Sequence, residues 1–168
     1  MKLSTLGFYV IAIGIVALDQ AVKAWTRATL PVGGTIPLWK DVFELSHAQN
    51  QGMAFSLLEG QRWPLAGAAI LVAGVIIVAQ RRMADRTPLL LGLALAMPLG
   101  GAVGNLIDRL RFGFVTDLFY FKLINFPVFN VADAAITVGM ALLFWHTLTV
   151  REPEPAAVVP PLPSNEPS

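Results

Sequence analysis

Cysteine is absent from this chain of 168 residues, and histidine occurs only twice. Without thiols there can be no disulfide, no cysteine nucleophile and no cysteine-ligated metal. Two histidines without an HExxH spacing carry no zinc-hydrolase signature, so a catalytic zinc site is not expected. Charge is scarce as well: 14% of residues are charged, against about 25% in an average soluble domain. A formal net charge of +1 and no dense basic cluster leave no footing for a nucleic-acid partner. Any hydrolytic chemistry therefore falls to carboxylates, hydroxyls or lysine.

Apolar residues fill the space. They make up 55% of the chain, and the mean hydropathy of +0.64 points to a membrane protein. Four hydrophobic runs follow one another. The first begins at Leu6 and, continued as a helix to Trp25, reaches the roughly 20 residues that cross a bilayer. Lys2 ahead of a short apolar run also has the look of a cleaved secretory signal, but three further spans and the interrupting Asp19 favour a retained helix. Asp19 and Lys23 stand at i and i+4 with the acid first, the favourable order for a structural ion pair, here letting a polar helix end sit at the lipid boundary. The second run is Trp63 to Ala79, the third Pro88 to about Ile107, and the fourth Val131 to Trp145. Pro98 should kink the third, and Gly100 with Gly104 forms a GxxxG that permits close approach between helices.

The stretch 26–62 is too long and too patterned for a plain loop. Pro31, Gly33, Gly34 and Pro37 break helix, Val42 to His47 alternates like a half-buried strand, Asn50-Gln51-Gly52 signals a turn, and Met53-Ala54-Phe55 returns to apolar residues. This reads as a small extracytoplasmic β-rich platform lying on the membrane surface. His47 is a candidate general base, with a histidine on the strand surface as the commoner alternative. Arg81, Arg82 and Arg86 crowd the short connection between the second and third spans, which places it and both termini in the cytoplasm. The expected organisation is a four-helix transmembrane domain over 1–150 and a disordered tail over 151–168, which holds six of the twelve prolines.

Polar residues gather between the third and fourth spans. Asn105 and Asp108 close one run, Asn130 and Asp133 open the next, and Asp117 lies between them. Acids at a bilayer rim are costly, so several together imply a task. Asn130 and Asp133 also suit an N-cap and the third position of the fourth helix. Asp108 sits at a helix C-terminal end, where the dipole disfavours it, and Arg109 beside it reads as its ion-pair partner or part of a ligand clamp. Asp117 has apolar neighbours and no adjacent cation. The third span exits and the fourth re-enters on one side, so Asp117 must lie near Asp133. Two carboxylates about 4 Å apart repel by roughly 4 kcal/mol at an effective dielectric near 20, or about three pKa units. One would stay protonated and one ionised, an aspartyl-protease-type pair.

The motifs Asp19-Gln20-x-x-Lys23, Asn50-x-Gly52-x-Ala54-Phe55-Ser56, Gly104-Asn105-x-x-Asp108-Arg109, Val115-x-Asp117-Leu118 and Phe129-Asn130-x-Ala132-Asp133 occur in this order with spans between them. The set closely resembles the bacterial lipoprotein signal peptidases (signal peptidase II) over residues from about 6 to 150. The resemblance implies an intramembrane aspartic endopeptidase with four transmembrane helices and an extracytoplasmic β-cradle, requiring no metal or organic cofactor. It would lie in the bacterial cytoplasmic membrane and face its active site outward. It would cleave prolipoprotein signal peptides just before the diacylglyceryl-modified cysteine. Catalysis would fall to Asp117 and Asp133, with Asn50, Gly52, Asn105, Asp108, Arg109 and Asn130 on the substrate side. The partners implied are the lipid-modified prolipoprotein, membrane lipid and globomycin-type inhibitors, with a monomeric enzyme. Gln51 and Met53 depart from the commoner Asn-Thr-Gly-Ala-Ala form of the second motif.

Two other classes compete. A proton- or ion-coupled transporter would place its acids near mid-bilayer and show repeated halves. A non-enzymatic membrane scaffold would rest mainly on the Gly100/Gly104 packing and tolerate loss of either acid.

Overall fold

The computed structural model describes residues 1–52, 60–84 and 87–149. The tail, Arg86 and Met53 to Ser56 of the second motif lie outside the described residues.

Four helices are long and apolar enough to cross a membrane: α1 (Thr5–Thr29), α2 (Arg62–Met83), α3 (Leu89–Phe112) and α4 (Val131–Thr149). Each runs past the apolar stretch that marks it in the sequence, because ends rich in charge and threonine stay helical beyond the lipid-compatible core. Ser4 caps α1, its Oγ accepting the Gly7 N–H at 3.1 Å. Gly113, with φ +86°, ends α3 in the left-handed conformation that glycine adopts most readily. That end lies beyond the expected one, so Asn105 and Asp108 stand inside the helix.

The third helix is the inner one. Of its most apolar window 56% is buried, against 17%, 28% and 17% for the other three. Small residues make this possible: Ala94, Ala96, Gly100, Gly101 and Ala102 are buried along it. A Cβ on Gly100 would meet the Ala12 carbonyl and Ile15 of α1, and one on Gly104 would lie 2.6 Å from Asp19 Oδ2. The GxxxG thus brings α1 close and makes room for a carboxylate. Helix α3 runs unbroken through Pro98. Phe8, Ala12, Ala73, Ile76, Ala96 and Leu99 form the apolar core between α1, α2 and α3.

At one end of the bundle the N-terminus pairs with the α2–α3 connection, through Leu3 N–H to Thr87 O at 3.0 Å and Leu89 N–H to Met1 O at 3.1 Å. At the other end lies an antiparallel sheet in the order β1 (Thr35–Trp39), β2 (Phe43–Asn50), β3 (Val115–Phe121). The platform is therefore not confined to 26–62. Its third strand comes from the connection between α3 and α4, which carries Asp117. A short 3₁₀ turn, Lys122–Ile124, follows that strand.

Candidate active site

The register of the sheet decides which side chains face the bundle. Phe43 pairs with Phe121 and Leu45 with Phe119, but the next pair is Ala48 with Asp117. Three steps on β2 match two on β3, so β2 carries one extra residue between Leu45 and Ala48. Side chains alternate along a strand, and this insertion shifts the alternation by one. Asn50 then joins the face that holds Asp117, where an unbroken strand would turn it away. It reaches diagonally across the ladder and donates Nδ2 to Asp117 Oδ2 at 3.0 Å. Its own Oδ1 accepts the Gly52 N–H at 2.9 Å, which fixes which end of the amide points at the acid.

The other wall comes from the entry to α4. Leu118 and Phe119 both donate to Phe129 O, at 3.0 and 2.8 Å, and Phe129 donates back to Phe119 O. This backbone clamp sets Asn130 beside Asp117, and Asn130 Nδ2 donates to Asp117 Oδ1 at 2.6 Å. Asn130 and Asp133 form the expected reciprocal cap: Asp133 N–H to Asn130 Oδ1 at 2.9 Å, and Asn130 N–H to Asp133 Oδ2 at 3.3 Å. From α3, Asn105 Nδ2 donates to Asp133 Oδ1 at 2.8 Å. Asn130 Nδ2 also reaches Asn105 Oδ1 at 3.2 Å. Asp117 and Asp133 thus belong to one hydrogen-bonded cluster at one end of the bundle.

The two acids differ in surroundings. Asp117 is 1% exposed, whereas Asp133 is half-buried in the first turn of α4. Burial pushes the Asp117 carboxyl up to about 7, and the charge of Asp133 adds to the rise; amide donation from Asn50 and Asn130 and the positive Lys23 oppose it.

Behind the pair is a buried ionic layer. Lys23 Nζ lies 2.9 Å from Asp19 Oδ2 and 3.6 Å from Asp108 Oδ2, and donates to Asn105 Oδ1 at 2.8 Å. The Asp19–Lys23 pair is present as expected, but it sits between helices rather than at the lipid boundary, 0% and 1% exposed. Asp19 Oδ1 accepts the Ala132 N–H at 2.9 Å and so ties α1 to the start of α4. The expected Asp108–Arg109 ion pair is not formed. Adjacent residues on a helix point in different directions, and Asp108 turns inward to Lys23, Arg27, Gln20 and the Thr116 N–H. Fully buried among them, its side chain is held by protein groups on every side described. Arg109 turns the other way and donates to Gly52 O at 3.1 Å, joining α3 to the loop after β2.

His47 also departs from expectation. It is buried, its Nδ1 lies 2.8 Å from Leu30 O, and its Nε2 has no partner among the described residues. None of its hydrogen bonds reaches the carboxylate cluster. Gln20 and Arg27 were not marked as site residues by sequence reasoning. Gln20 donates to Asp19, Gly104 O and Asp108, and Arg27 to Thr116 Oγ1. The four-residue spacing 19, 23, 27 along one face of α1 was the available signal for Arg27.

Comparison with known proteins is consistent with this arrangement. The family model described as signal peptidase (SPase) II matches residues 11–149. A lipoprotein signal peptidase of Brevibacillus brevis is 45% identical over 137 residues, 81% of this chain and 91% of that protein. One from Synechocystis is 43% identical, covering 82% and 85% respectively. A bacterial membrane enzyme solved at 2.3 Å by the in meso method superposes with a TM-score of 0.82 at 26% identity, over 88% of this chain and 90% of that one.

Proposed function

The chain belongs to the signal peptidase II family, and from that membership together with the paired carboxylates we propose that it is a lipoprotein signal peptidase with a two-aspartate mechanism. The observation that carries the mechanism is the placing of Asp117 and Asp133 on either side of Asn130, which hydrogen-bonds to both.

The substrate is a prolipoprotein held in the membrane by its signal helix and by a diacylglyceryl group on the cysteine after the scissile bond. Asp117 keeps its proton up to about pH 7. Asp133, with the positive end of the α4 dipole beneath it, is the ionised member. Asp133 removes a proton from a water molecule, and the oxygen attacks the scissile carbonyl carbon as Asp117 passes its proton to the carbonyl oxygen. In collapse of the tetrahedral diol, one hydroxyl returns a proton to Asp117, the C–N bond breaks, and Asp133 gives its proton to the departing amine of the cysteine. Both acids end as they began, and one water has been consumed.

Asn105 and Asn130 supply N–H donors that hold the acids in place, and Asn50, Gly52 and Arg109 form the rim against which the peptide lies. Asp108 anchors that rim from behind. The enzyme works as a monomer in the bacterial cytoplasmic membrane, with both termini inside and the sheet outside. Pairing of the N-terminus with the arginine-bearing connection puts those two segments on one side, which favours this orientation.

The test is purified protein in lipid with a diacylglyceryl-modified prolipoprotein. Cleavage before the modified cysteine is expected, with the unmodified precursor left intact, inhibition by globomycin, and loss of activity in Asp117→Asn and in Asp133→Asn. A folded wild-type protein inert on the modified substrate would defeat this reading.

A further inference from the structure

We propose that Lys23 is a positioning residue for the carboxylate pair, fixing through Asn105 which end of each asparagine amide faces the two acids. The proposal rests on the two-aspartate reading for its catalytic meaning and on geometry for its content.

An ammonium group has donors and no acceptor. The atom of Asn105 that lies 2.8 Å from Lys23 Nζ must therefore be the oxygen, which leaves Nδ2 to face Asp133 Oδ1 at 2.8 Å. The same Asn105 oxygen accepts from Asn130 Nδ2 at 3.2 Å. Asn130 is held at its other end, where its Oδ1 accepts the Asp133 N–H. Its Nδ2 is then committed to Asn105 Oδ1 and Asp117 Oδ1. One cation thus sets a chain of polarity that reaches both acids with N–H groups alone.

Without Lys23, Asn105 can turn its amide over. Its oxygen would then oppose the Asp133 carboxylate, and its NH₂ would face the NH₂ of Asn130. Lys23 is placed to prevent this because it cannot move: it is 1% exposed and is also held by Asp19 and Asp108. Among the described residues, the charged groups facing the pair are few. Lys23 comes from α1 and Arg109 from α3, with Asp19 and Asp108 behind, and Arg109 interacts electrostatically with Asp117, Asp133 and Asp108.

The experiment uses the full chain in lipid and two readouts. Replacing Lys23 alone strands Asp19 and Asp108, so the main variant is the charge-balanced Asp19→Asn/Lys23→Met, compared with Asp19→Asn alone and with Lys23→Arg. Each is checked for folding by thermal melting. The first readout is infrared titration of the Asp117 carboxyl band, assigned by difference from Asp117→Asn, which needs no substrate. Removal of Lys23 is expected to move the midpoint upward by about one pH unit, and Lys23→Arg to restore most of the shift. The second readout is cleavage of lipid-modified prolipoprotein. Here kcat should fall about tenfold or more with KM changed less, and the pH profile should move to higher pH. In an Asn105→Ala background the same substitution should have little further effect on kcat, while the titration keeps only the shift due to the charge of Lys23 itself.

A folded Lys23 variant with an unmoved titration midpoint would overturn the proposal. So would effects of Lys23 and Asn105 replacement on kcat that simply add. Inert wild-type protein would defeat the peptidase reading alone, since the titration stands without it.

Discussion

Asn130 donates its side-chain amide to Asp117 Oδ1 at 2.6 Å while its side-chain oxygen accepts the backbone N–H of Asp133 at 2.9 Å. One residue spans the two acids, and among the described residues no other hydrogen-bonds to both. Asn130→Ala should therefore uncouple them without removing either. A loss of about 10²-fold in kcat is expected, with the protein still folded because Asp133 keeps Asn105 as a partner. Steady-state cleavage of a lipid-modified precursor measures it, and near-wild-type turnover would contradict the geometry.

The Asp117 carboxyl predicts two pH effects of known sign. Its pKa is raised from the usual 3.8 to about 7, so the folded state holds a proton that the unfolded chain has released across that interval. Stability from this group is thus greatest at low pH and falls as pH rises from about 4 to about 7. Asp117→Asn should lack that decline, and melting temperature against pH for both proteins would show it. The wild-type enzyme should also lose activity above about pH 7, as the member that donates to the carbonyl oxygen becomes ionised.

Gly104→Ala should be destabilising. The new methyl would lie 2.6 Å from Asp19 Oδ2, and that carboxylate is held by Lys23 and Ala132 and has nowhere to retreat. Overpacking of this kind costs about 1–3 kcal/mol. Thermal denaturation in detergent would report a lowered midpoint, and an unchanged one would mean that α1 and α3 are less closely fixed.

The extra residue in β2 has a testable role of its own. Asn50→Ala keeps the register of the strand and removes the side chain that this extra residue turns inward. The Asp117 carboxyl would lose one amide donor, and cleavage should drop by roughly tenfold or more. Full activity in that variant would show that Asn50 is not needed on the inner face.

Much of this was legible in the chain. Four apolar runs gave four helices, because length and hydropathy are properties of the residues themselves. The Asn130–Asp133 cap and the Asp19–Lys23 pair are local and were readable from spacing. What escaped depends on contacts between distant segments. Val115–Phe121 is rich in β-branched and aromatic residues, but its partner strand β2 lies far back in the sequence, and only the fold brings the two together. The direction of Asp108 was misread because neighbours in sequence suggested Arg109, while the folded bundle offers Lys23 and Arg27 from α1. The burial of His47 goes with its contact to the Leu30 carbonyl, seventeen residues earlier, which periodicity alone cannot reveal.

The bond from Asp19 Oδ1 to the Ala132 N–H joins positions 113 residues apart in sequence. A chain still emerging from the ribosome with three helices inserted has the acid but not the amide it holds, nor Asp133 just beyond. On the proposed mechanism, proteolytic competence therefore arrives only with the last helix, and a product truncated before it should leave lipid-modified precursors uncut.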